Sequence, residues 1–195
     1  MKNYKELYFK EKITNIINKD PTINDHLLER FTRTCKDGMI LEFGVYSGAT
    51  INRISSVTKK TVYGFDSFEG LPEDWRNNHG LSKGHFACNI PEVNSNVELI
   101  VGLFDQTLEK FLEDHLDPVA FCHIDCDLYS STKSIFDKLK NRFFSGSILL
   151  FDEFTIYPGW EDHEYKAFIE FLIENDFDIK FLGRRHAEAY AFELV

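Results

Sequence analysis

Long apolar runs, basic clusters and paired cysteines are missing from this 195-residue sequence. No apolar run approaches the roughly 20 residues that a membrane-spanning helix needs. The N-terminal segment MKNYKELYFKEK carries too many charges for the apolar core of a signal peptide. The formal net charge is −10 without a block of Lys and Arg, which argues against a nucleic-acid partner because phosphate binding needs clustered cations. The sequence therefore predicts a cytoplasmic protein with no membrane segment, whose partner is a small ligand or a cation.

Cysteine is sparse, with four residues in the whole chain. They lack the paired CxxC spacing of a zinc site. Cys122 and Cys126 flank the end of a predicted buried strand. Reduced thiols in such places pack as small hydrophobic side chains. We therefore expect no disulfide framework.

The patterns that are present predict a single α/β domain over residues 1–195. Hydrophobic residues make up 43% of the chain, and strand-like and helix-like segments alternate without a linker or a repeat. The strand segments are nearly continuous apolar runs, which is typical of a parallel sheet covered by helices on both faces. We expect a mostly parallel, seven-stranded sheet that ends in a C-terminal antiparallel hairpin.

The periodicity and the turn residues place the elements along the chain. Two helices near residues 3–18 and 23–36 form an N-terminal region, residues 1–37. Residues 69–96 are rich in Gly, Pro and Asn and form an irregular, lid-like insertion. The predicted strands are GMILEFGV, TVYGFDSF, VELIVGLF, PVAFCHID, GSILLFDEF and two within DIKFLGRRHAEAYAFELV. The remaining helices are GATINRISSVTK and the segments near residues 106–115, 130–142 and 162–175.

The stretch LEFGVYSGAT, residues 41–50, predicts a strand that turns sharply into a helix. Gly44 and Gly48 have no Cβ and tolerate a positive φ, so the backbone can approach a ligand closely. The pattern is not G-x-G-x-x-G, and Glu42 puts a negative charge where the pyrophosphate of a dinucleotide would have to sit. A cationic ligand such as S-adenosylmethionine fits better. Asp66 ends the next strand, where an acidic side chain either accepts hydrogen bonds from ribose hydroxyls or caps a turn.

The stretch HIDCDLYSST, residues 123–132, places Asp125 and Asp127 two apart at the end of an apolar strand. Asp152 and Glu153 follow the next predicted strand, so all four carboxylates should meet at one edge of the sheet. Such a cluster is costly unless something neutralises it. An oxygen-only site suits Mg²⁺ or another hard divalent cation. A raised carboxyl pKa or simple helix capping would be the alternatives.

Five segments together carry a resemblance to a known family: LEFGVYSGAT, VYGFDSFEGLPEDW, HIDCDLYSST, GSILLFDEF and YPGWEDHEYKAF. They extend in order from about residue 39 to 170. The sequence resembles class I S-adenosylmethionine-dependent methyltransferases, and within them the metal-dependent sugar O-methyltransferases of the macrocin and mycinamicin type. The first segment is generic to the superfamily, whereas the combination of FDSFEGLPE with HIDCDLYSST and FDEF is more specific. The resemblance implies a Rossmann-like methyltransferase fold.

The resemblance also implies an activity, which is methyl transfer to a hydroxyl of a sugar or nucleotide sugar with S-adenosylmethionine and Mg²⁺. It assigns the metal ligands to Asp125, Asp152 and Glu153, although the family often has two Asp at the last two positions. It assigns the general base either to Asp127 or to a histidine of the insertion, His79 or His85. The candidate cofactor-binding residues are Glu42, Gly44, Tyr46, Ser47, Gly48, Asp66, Ser67, Asp105 and Asp125.

Other functions stay open from the sequence. The acceptor could be a catechol-like molecule, the metal could be dispensable, or the chain could bind the cofactor without catalysis. The N-terminal helices offer a contact surface for a homo-oligomer.

Overall fold

A computed structural model of the chain describes residues 2–76 and 80–195. The helices are α1 (Lys2–Ile17), α2 (Leu27–Thr34), α3 (Ala49–Ser55), α4 (Phe104–Asp114), α5 (Tyr129–Leu139) and α6 (Glu164–Asn175), with a 3₁₀ turn at Trp160–Asp162. The strands are β1 (Met39–Phe43), β2 (Val62–Asp66), β3 (Val97–Val101), β4 (Val119–Ile124), β5 (Ile148–Phe151), β6 (Ile179–Arg184) and β7 (Tyr190–Leu194).

The strands form one seven-stranded sheet in the order β3-β2-β1-β4-β5-β7-β6. Strands β1 to β5 pair in parallel, and β7 pairs antiparallel with both β5 and β6. The predicted parallel sheet with an antiparallel C-terminal hairpin is therefore confirmed. The strand order reverses between β1 and β4, and ligands of such sheets bind beside this switch at the carboxyl ends of the strands.

Helices cover both faces of the sheet, as the apolar runs predict. Every residue of β1, β4 and β5 is buried, because side chains on both faces meet a helix. One face packs against α1, α4, α5 and α6 through a phenylalanine-rich cluster, in which the rings of Phe136 and Phe171 stack at 4.4 Å. The other face packs against α2 and α3. This burial fixes the strands whose ends carry the site.

Helix α2 begins later than the sequence pattern predicts. Ile23 instead forms a parallel bridge with Arg184 of β6, and the backbone N–H of Asn24 donates to the Arg184 carbonyl at 2.8 Å. These backbone groups extend the edge of the sheet and are therefore not available to a helix. The helix starts at Leu27, once the chain has left that edge.

The insertion folds back on itself over the carboxyl edge of the sheet. The N–H of Leu71 donates to the His85 carbonyl at 2.9 Å, and the N–H of Trp75 donates to the Leu81 carbonyl at 2.8 Å. Leu71 and Trp75 then pack against Leu128, just before α5, in a small cluster of their own. The insertion is thus anchored beside the strand ends, and its movement as a lid stays a prediction.

Crossing a bilayer requires a helix that is both long and apolar. None of the helices in the described ranges meets both conditions.

Candidate functional site

A cavity of about 400 Å³ lies at the carboxyl ends of β1, β2 and β4, beside the reversal of strand order. The first turns of α4 and α5 and the insertion complete its walls. Six of the nine predicted cofactor-binding residues line it, namely Gly44, Tyr46, Asp66, Ser67, Asp105 and Asp125. Glu42, Ser47 and Gly48 lie outside its lining.

Gly44 sits where β1 leaves the sheet and turns towards α3. Its φ is 91°, and a Cβ at this position would collide with the backbone carbonyl of Asp125. That backbone is itself held, because the N–H of Asp125 donates to the Phe43 carbonyl at 2.8 Å. Only glycine combines the left-handed conformation with so close an approach of the two strand ends.

Asp66, at the end of β2, organises the loop that follows β1. Its Oδ2 accepts hydrogen bonds from the backbone N–H groups of Val45 and Tyr46, both at 2.8 Å. Its Oδ1 accepts the N–H of Phe68, also at 2.8 Å. A carboxylate offers roughly four acceptor positions, so about one remains for a ligand. Asp66 therefore shapes the turn and also faces the cavity.

Two aromatic rings form a wall of the cavity. Tyr46 has a φ of 48° and is 48% exposed, and its ring meets the edge of Phe86 from the insertion at 5.6 Å. Ser47, next to it, is exposed, and Gly48 starts α3 with a φ of 79°. Asp105 is exposed in the first turn of α4. This half of the cavity thus combines apolar, hydroxyl and acidic groups.

Glu42 is fully buried beneath the cavity and faces a histidine of β4. Its Oε1 lies 2.8 Å from Nδ1 of His123, whose side chain is also fully buried. The paired residues sit opposite each other in the register of β1 and β4. The pairing across the two strands explains how a carboxylate can lie inside an otherwise apolar strand.

Three carboxyl groups meet at the other half of the cavity, those of Asp125, Asp127 and Glu153. Burial raises the pKa of Asp125 to about 7, opposed by His123 and reinforced by the charge of Asp127. Burial likewise raises the pKa of Asp127 to about 7, opposed by Arg76. Burial and the charges of Asp125 and Asp127 hold the pKa of Glu153 well above its usual range. This half of the cavity is therefore suited to a proton or another cation.

Glu164, in the first turn of α6, completes this acidic cluster from behind. Its Oε1 accepts the backbone N–H groups of Cys126 at 3.3 Å and Asp127 at 3.2 Å. These bonds hold Asp127 in a left-handed conformation with a φ of 66°. Burial raises the pKa of Glu164 to about 8, and the charge of Asp127 adds to the effect. The sequence patterns did not single out Glu164. The feature that could have identified it is an acidic residue at the start of a helix.

Asp152 and Glu153 point to opposite sides, as successive residues do when a strand ends. Oδ1 of Asp152 accepts a hydrogen bond from the guanidinium of Arg185 and lies 3.5 Å from Nε2 of His123. Oδ2 of Asp152 lies 3.2 Å from Nε2 of His186. Within the described ranges, His123, Asp125 and Asp152 form the group that could hold a metal ion, with one ligand atom of each within 4.8 Å of the others. Two of the three predicted metal ligands are in that group, and Glu153 lies on the cavity side.

Of the two histidines predicted as alternative bases, His85 belongs to the part of the chain that the structure describes. His85 is exposed in the insertion, outside the cavity lining, with its ring 4.4 Å from that of Phe86. His79 lies outside the described residues. His163, which was not among the predicted bases, is half-buried near Trp75, and burial lowers its pKa. Within the described part of the chain, the structure thus brings Asp127, rather than a histidine, to the cavity.

Arg76 is a further residue that sequence reasoning missed, and no pattern in the sequence pointed to it. Its guanidinium lies 4.1 Å from the ring centre of Trp75 and 3.5 Å from that of Tyr157. It also forms an ion pair with Glu188 at 2.6 Å. Trp75 and Tyr157 are both 3% exposed. The two buried rings therefore hold the Arg76 cation beside the acidic cluster.

The acidic cluster should make folding stability fall as the pH rises from 6.5 to 8. The pKa of Asp125 and Asp127 is about 7 and that of Glu164 about 8, above their ordinary values of 3.8 and 4.5. The folded state therefore binds more protons than the unfolded state up to about pH 8, so the free energy of unfolding decreases. Burial lowers the pKa of His186 to about 4. This histidine makes stability rise with pH, but only below its ordinary pKa of 6.5, so it does not oppose the fall between pH 6.5 and 8.

Thermal unfolding without added metal measures this effect. We expect the Tm to drop by several degrees between the two pH values, and Glu164→Gln should flatten the slope. A Tm that stays level or rises over this interval would contradict the cluster as described.

The family of the chain follows from comparisons with known proteins. A family model described as a methyltransferase domain matches residues 41–154. A curated relative from Streptomyces olivaceus, 8-demethyl-8-(2,3-dimethoxy-alpha-L-rhamnosyl)-tetracenomycin-C 4'-O-methyltransferase, is 28% identical over 140 residues. That alignment covers 61% of this chain and 54% of the relative, so the chain spans about half the length of that protein.

Solved structures share the fold. The calicheamicin methyltransferase CalS11 has a TM-score of 0.68 at 22% identity, over 94% of this chain and 79% of that one. The O-methyltransferase NovP has a TM-score of 0.65 at 18% identity, over 85% of this chain and 77% of that one. These likenesses confirm the predicted Rossmann-like methyltransferase fold. Because the family model also matches more than half of the sequence, the chain belongs to the methyltransferase domain family.

Proposed function

We propose that this protein is an S-adenosylmethionine-dependent O-methyltransferase that acts on a hydroxyl of a sugar or nucleotide sugar, assisted by a divalent cation. The observation that carries the proposal is the two-part cavity. The Gly44 turn and Asp66 form one half, and the carboxyl groups of Asp125, Asp127 and Glu153 form the other. The name of the Streptomyces olivaceus relative, a rhamnosyl 4'-O-methyltransferase, supports the choice of a sugar hydroxyl.

The cofactor half fits S-adenosylmethionine by its hydrogen-bonding groups and its charge. The whole cavity, at about 400 Å³, is within the range of small-molecule sites. Asp66 has an acceptor position left for a ribose hydroxyl, and Tyr46 and Phe86 offer aromatic surface. The acidic lining complements the positive charge of the sulfonium, whereas a pyrophosphate would be repelled.

The acceptor half fits a hydroxyl that must lose its proton as the methyl group arrives. Asp127 lines the cavity, and its carboxyl can accept that proton at near-neutral pH because its pKa is about 7. Glu164 fixes the backbone of Asp127, so the carboxyl is presented in one place. Ser130, Ser131 and Ser134 of α5 also line the cavity and can hydrogen-bond a polyhydroxyl acceptor.

The residues behind the cavity fit a divalent cation. Asp125 and Asp152 contribute oxygens within 4.8 Å of each other and of a His123 nitrogen. A bound cation would supply charge that stabilises the developing alkoxide of the acceptor. Asp125 is the residue that belongs to both the cavity lining and this group.

Asp66→Ala should weaken S-adenosylmethionine binding by at least tenfold. The change removes a ribose partner and also leaves the N–H groups of Val45, Tyr46 and Phe68 without their acceptor. Each such loss costs about 1 to 3 kcal/mol. Calorimetric titration gives the affinity, with Glu98→Ala on the exposed face of β3 as the matched control. Equal affinity in the two variants would remove Asp66 from the site.

Methyl transfer itself is tested with S-adenosylmethionine that carries a deuterated methyl group. The full chain is incubated with a panel of nucleotide sugars, free sugars and catechols, with and without EDTA, and products are identified by mass spectrometry. We expect a labelled sugar product whose formation EDTA suppresses. A catechol product would show that the acceptor belongs to another class, and transfer that resists EDTA would show that the metal is dispensable. Absence of any product across the panel would contradict the proposal.

A further inference from the structure

The two halves of the cavity differ in their exposure to solvent. In the cofactor half, Tyr46 is 48% exposed and Asp105 is also exposed. In the acceptor half, Asp127 is only 7% exposed. S-adenosylmethionine seated beside Tyr46 would fill the exposed half. An acceptor that arrives after the cofactor therefore needs another way in.

The first arm of the insertion, residues 71–76, forms part of the cavity wall and spans the acceptor half. Glu73 accepts a hydrogen bond from the hydroxyl of Ser130, in the first turn of α5, at 2.6 Å. Trp75 is buried, and its ring meets that of Tyr157, in the segment after β5, at 5.8 Å. The arm thus joins the two elements that carry the carboxyl groups of the acceptor half.

Arg76 ties the end of this arm to the C-terminal hairpin. Its guanidinium donates a hydrogen bond to Oε2 of Glu188, in the turn between β6 and β7, at 2.6 Å. The two side chains are 16% and 28% exposed, so water and salt weaken this ion pair less than one on the open surface. The rings of Trp75 and Tyr157 add cation–π attraction to the same guanidinium. The Glu188 carbonyl accepts the N–H of Phe154 at 2.9 Å, so the turn itself is held.

The charge of Arg76 also favours the closed position of the arm. Burial raises the pKa of Asp127, and the charge of Arg76 opposes that rise. The guanidinium is therefore close enough to attract the carboxylate. That attraction weakens when the arm moves away, because it falls with distance and with the entry of water.

We propose that the ion pair between Arg76 and Glu188 is a latch. It holds the arm, residues 71–76, closed over the acceptor half, and it breaks when an acceptor enters. The cofactor half stays open whether the latch is closed or broken. The inference rests on the proposed function in that it takes the carboxyl groups under the arm as the acceptor half.

Amide hydrogen exchange of the full chain tests the latch without cofactor, metal or acceptor. The reporter amides are those of Leu71 and Trp75, which are both bonded to carbonyls within the insertion. In Arg76→Gln and in Glu188→Gln we expect these amides to exchange roughly fivefold faster or more, because a part-buried ion pair is lost. The amide of Tyr46, in the cofactor half, should keep its rate in both variants.

Lys180→Gln is the matched control, because the ion pair of Lys180 with Glu193 at 3.0 Å joins β6 to β7 rather than to the insertion. This variant should leave the exchange of the arm unchanged. The double variant Arg76→Gln/Glu188→Gln should exchange no faster than Arg76→Gln alone, since the two residues act as one pair. Unchanged exchange in both single variants, or increases that add in the double variant, would overturn the latch.

Carboxyl labelling with a carbodiimide and glycine ethyl ester tests the way in. With S-adenosylhomocysteine bound, Asp127 of the unmodified chain should label slowly. Glu188→Gln, which keeps the Arg76 cation, should label Asp127 roughly fivefold faster or more. Glu98, exposed on β3, is the reference carboxyl, whose rate should not change. Equal labelling of Asp127 in the two chains would overturn the route.

The latch and the proposed function fail in different ways. A chain that does not bind S-adenosylhomocysteine would reject the proposed function, and its exchange rates would still decide on the latch. Methyl transfer by a chain whose exchange neither variant changes would reject the latch and leave the proposed function standing. Should Arg76→Gln fail to fold, as circular dichroism would show, Glu188→Gln still decides.

Discussion

Gly44→Ala is expected to abolish detectable S-adenosylmethionine binding and to lower the thermal stability of the chain. The new methyl group would meet the carbonyl oxygen of Asp125, and the φ of 91° is unfavourable for alanine. Neither strand end can yield, because the N–H of Asp125 is bonded to Phe43 and that of Gly44 to Phe65. Backbone strain and steric overlap together should cost about 3 kcal/mol or more. Calorimetric titration and thermal unfolding measure the two effects.

Gly159→Ala is a control that separates the backbone strain of a positive φ from the steric collision of an added Cβ. Gly159 has a nearly identical φ of 86°, and an added Cβ would find nothing within 4 Å. This control should lose a little stability and keep its cofactor affinity. If Gly44→Ala behaved like Gly159→Ala, close approach of the two strand ends would not be a requirement of the site.

Asp127→Asn should lower kcat by about 10²- to 10⁴-fold, the range in which positioned acids and bases contribute. An amide cannot take the proton of the acceptor hydroxyl. The shape of the turn should survive, because Glu164 holds it through backbone N–H groups that the substitution leaves in place. S-adenosylmethionine affinity should therefore remain within a few-fold of the unmodified chain. Steady-state kinetics on an active acceptor, together with calorimetry, gives both numbers.

The control for this change is Asp105→Asn, which removes a carboxylate from the same cavity at the first turn of α4. It should affect cofactor binding more than kcat. If Asp127→Asn turned over normally, the base would have to be sought in the insertion, with His85 as the first residue to replace and His79 as the second.

Much of the fold could be predicted from local patterns. A continuous apolar run such as VAFCHI in β4 reports burial on both faces, and alternation with helices then implies a parallel sheet. Gly44 was identifiable because a sharp turn from a strand into a helix favours a residue that tolerates a positive φ. The start of α2 was not predictable, since it depends on the pairing of Ile23 and Asn24 with Arg184, far along the chain.

The site was predictable to the extent that strand ends converge. Asp125 and Asp127 follow β4 and do line the cavity, as the topology requires. The partners of these residues were not predictable, because Glu164 arrives on α6 and Arg185 on the C-terminal hairpin. Likewise, the pairing of Glu42 with His123 depends on the register between β1 and β4, which no local pattern specifies.

We expect the cavity at the carboxyl ends of β1, β2 and β4 to bind S-adenosylmethionine. Isothermal titration of the chain with S-adenosylmethionine, and in parallel with NAD, tests this binding. The expected result is a single site with a micromolar Kd, on the order of −8 kcal/mol. S-adenosylhomocysteine should displace the bound S-adenosylmethionine, and NAD should give no heat of binding. Binding of NAD with no binding of S-adenosylmethionine would contradict this expectation.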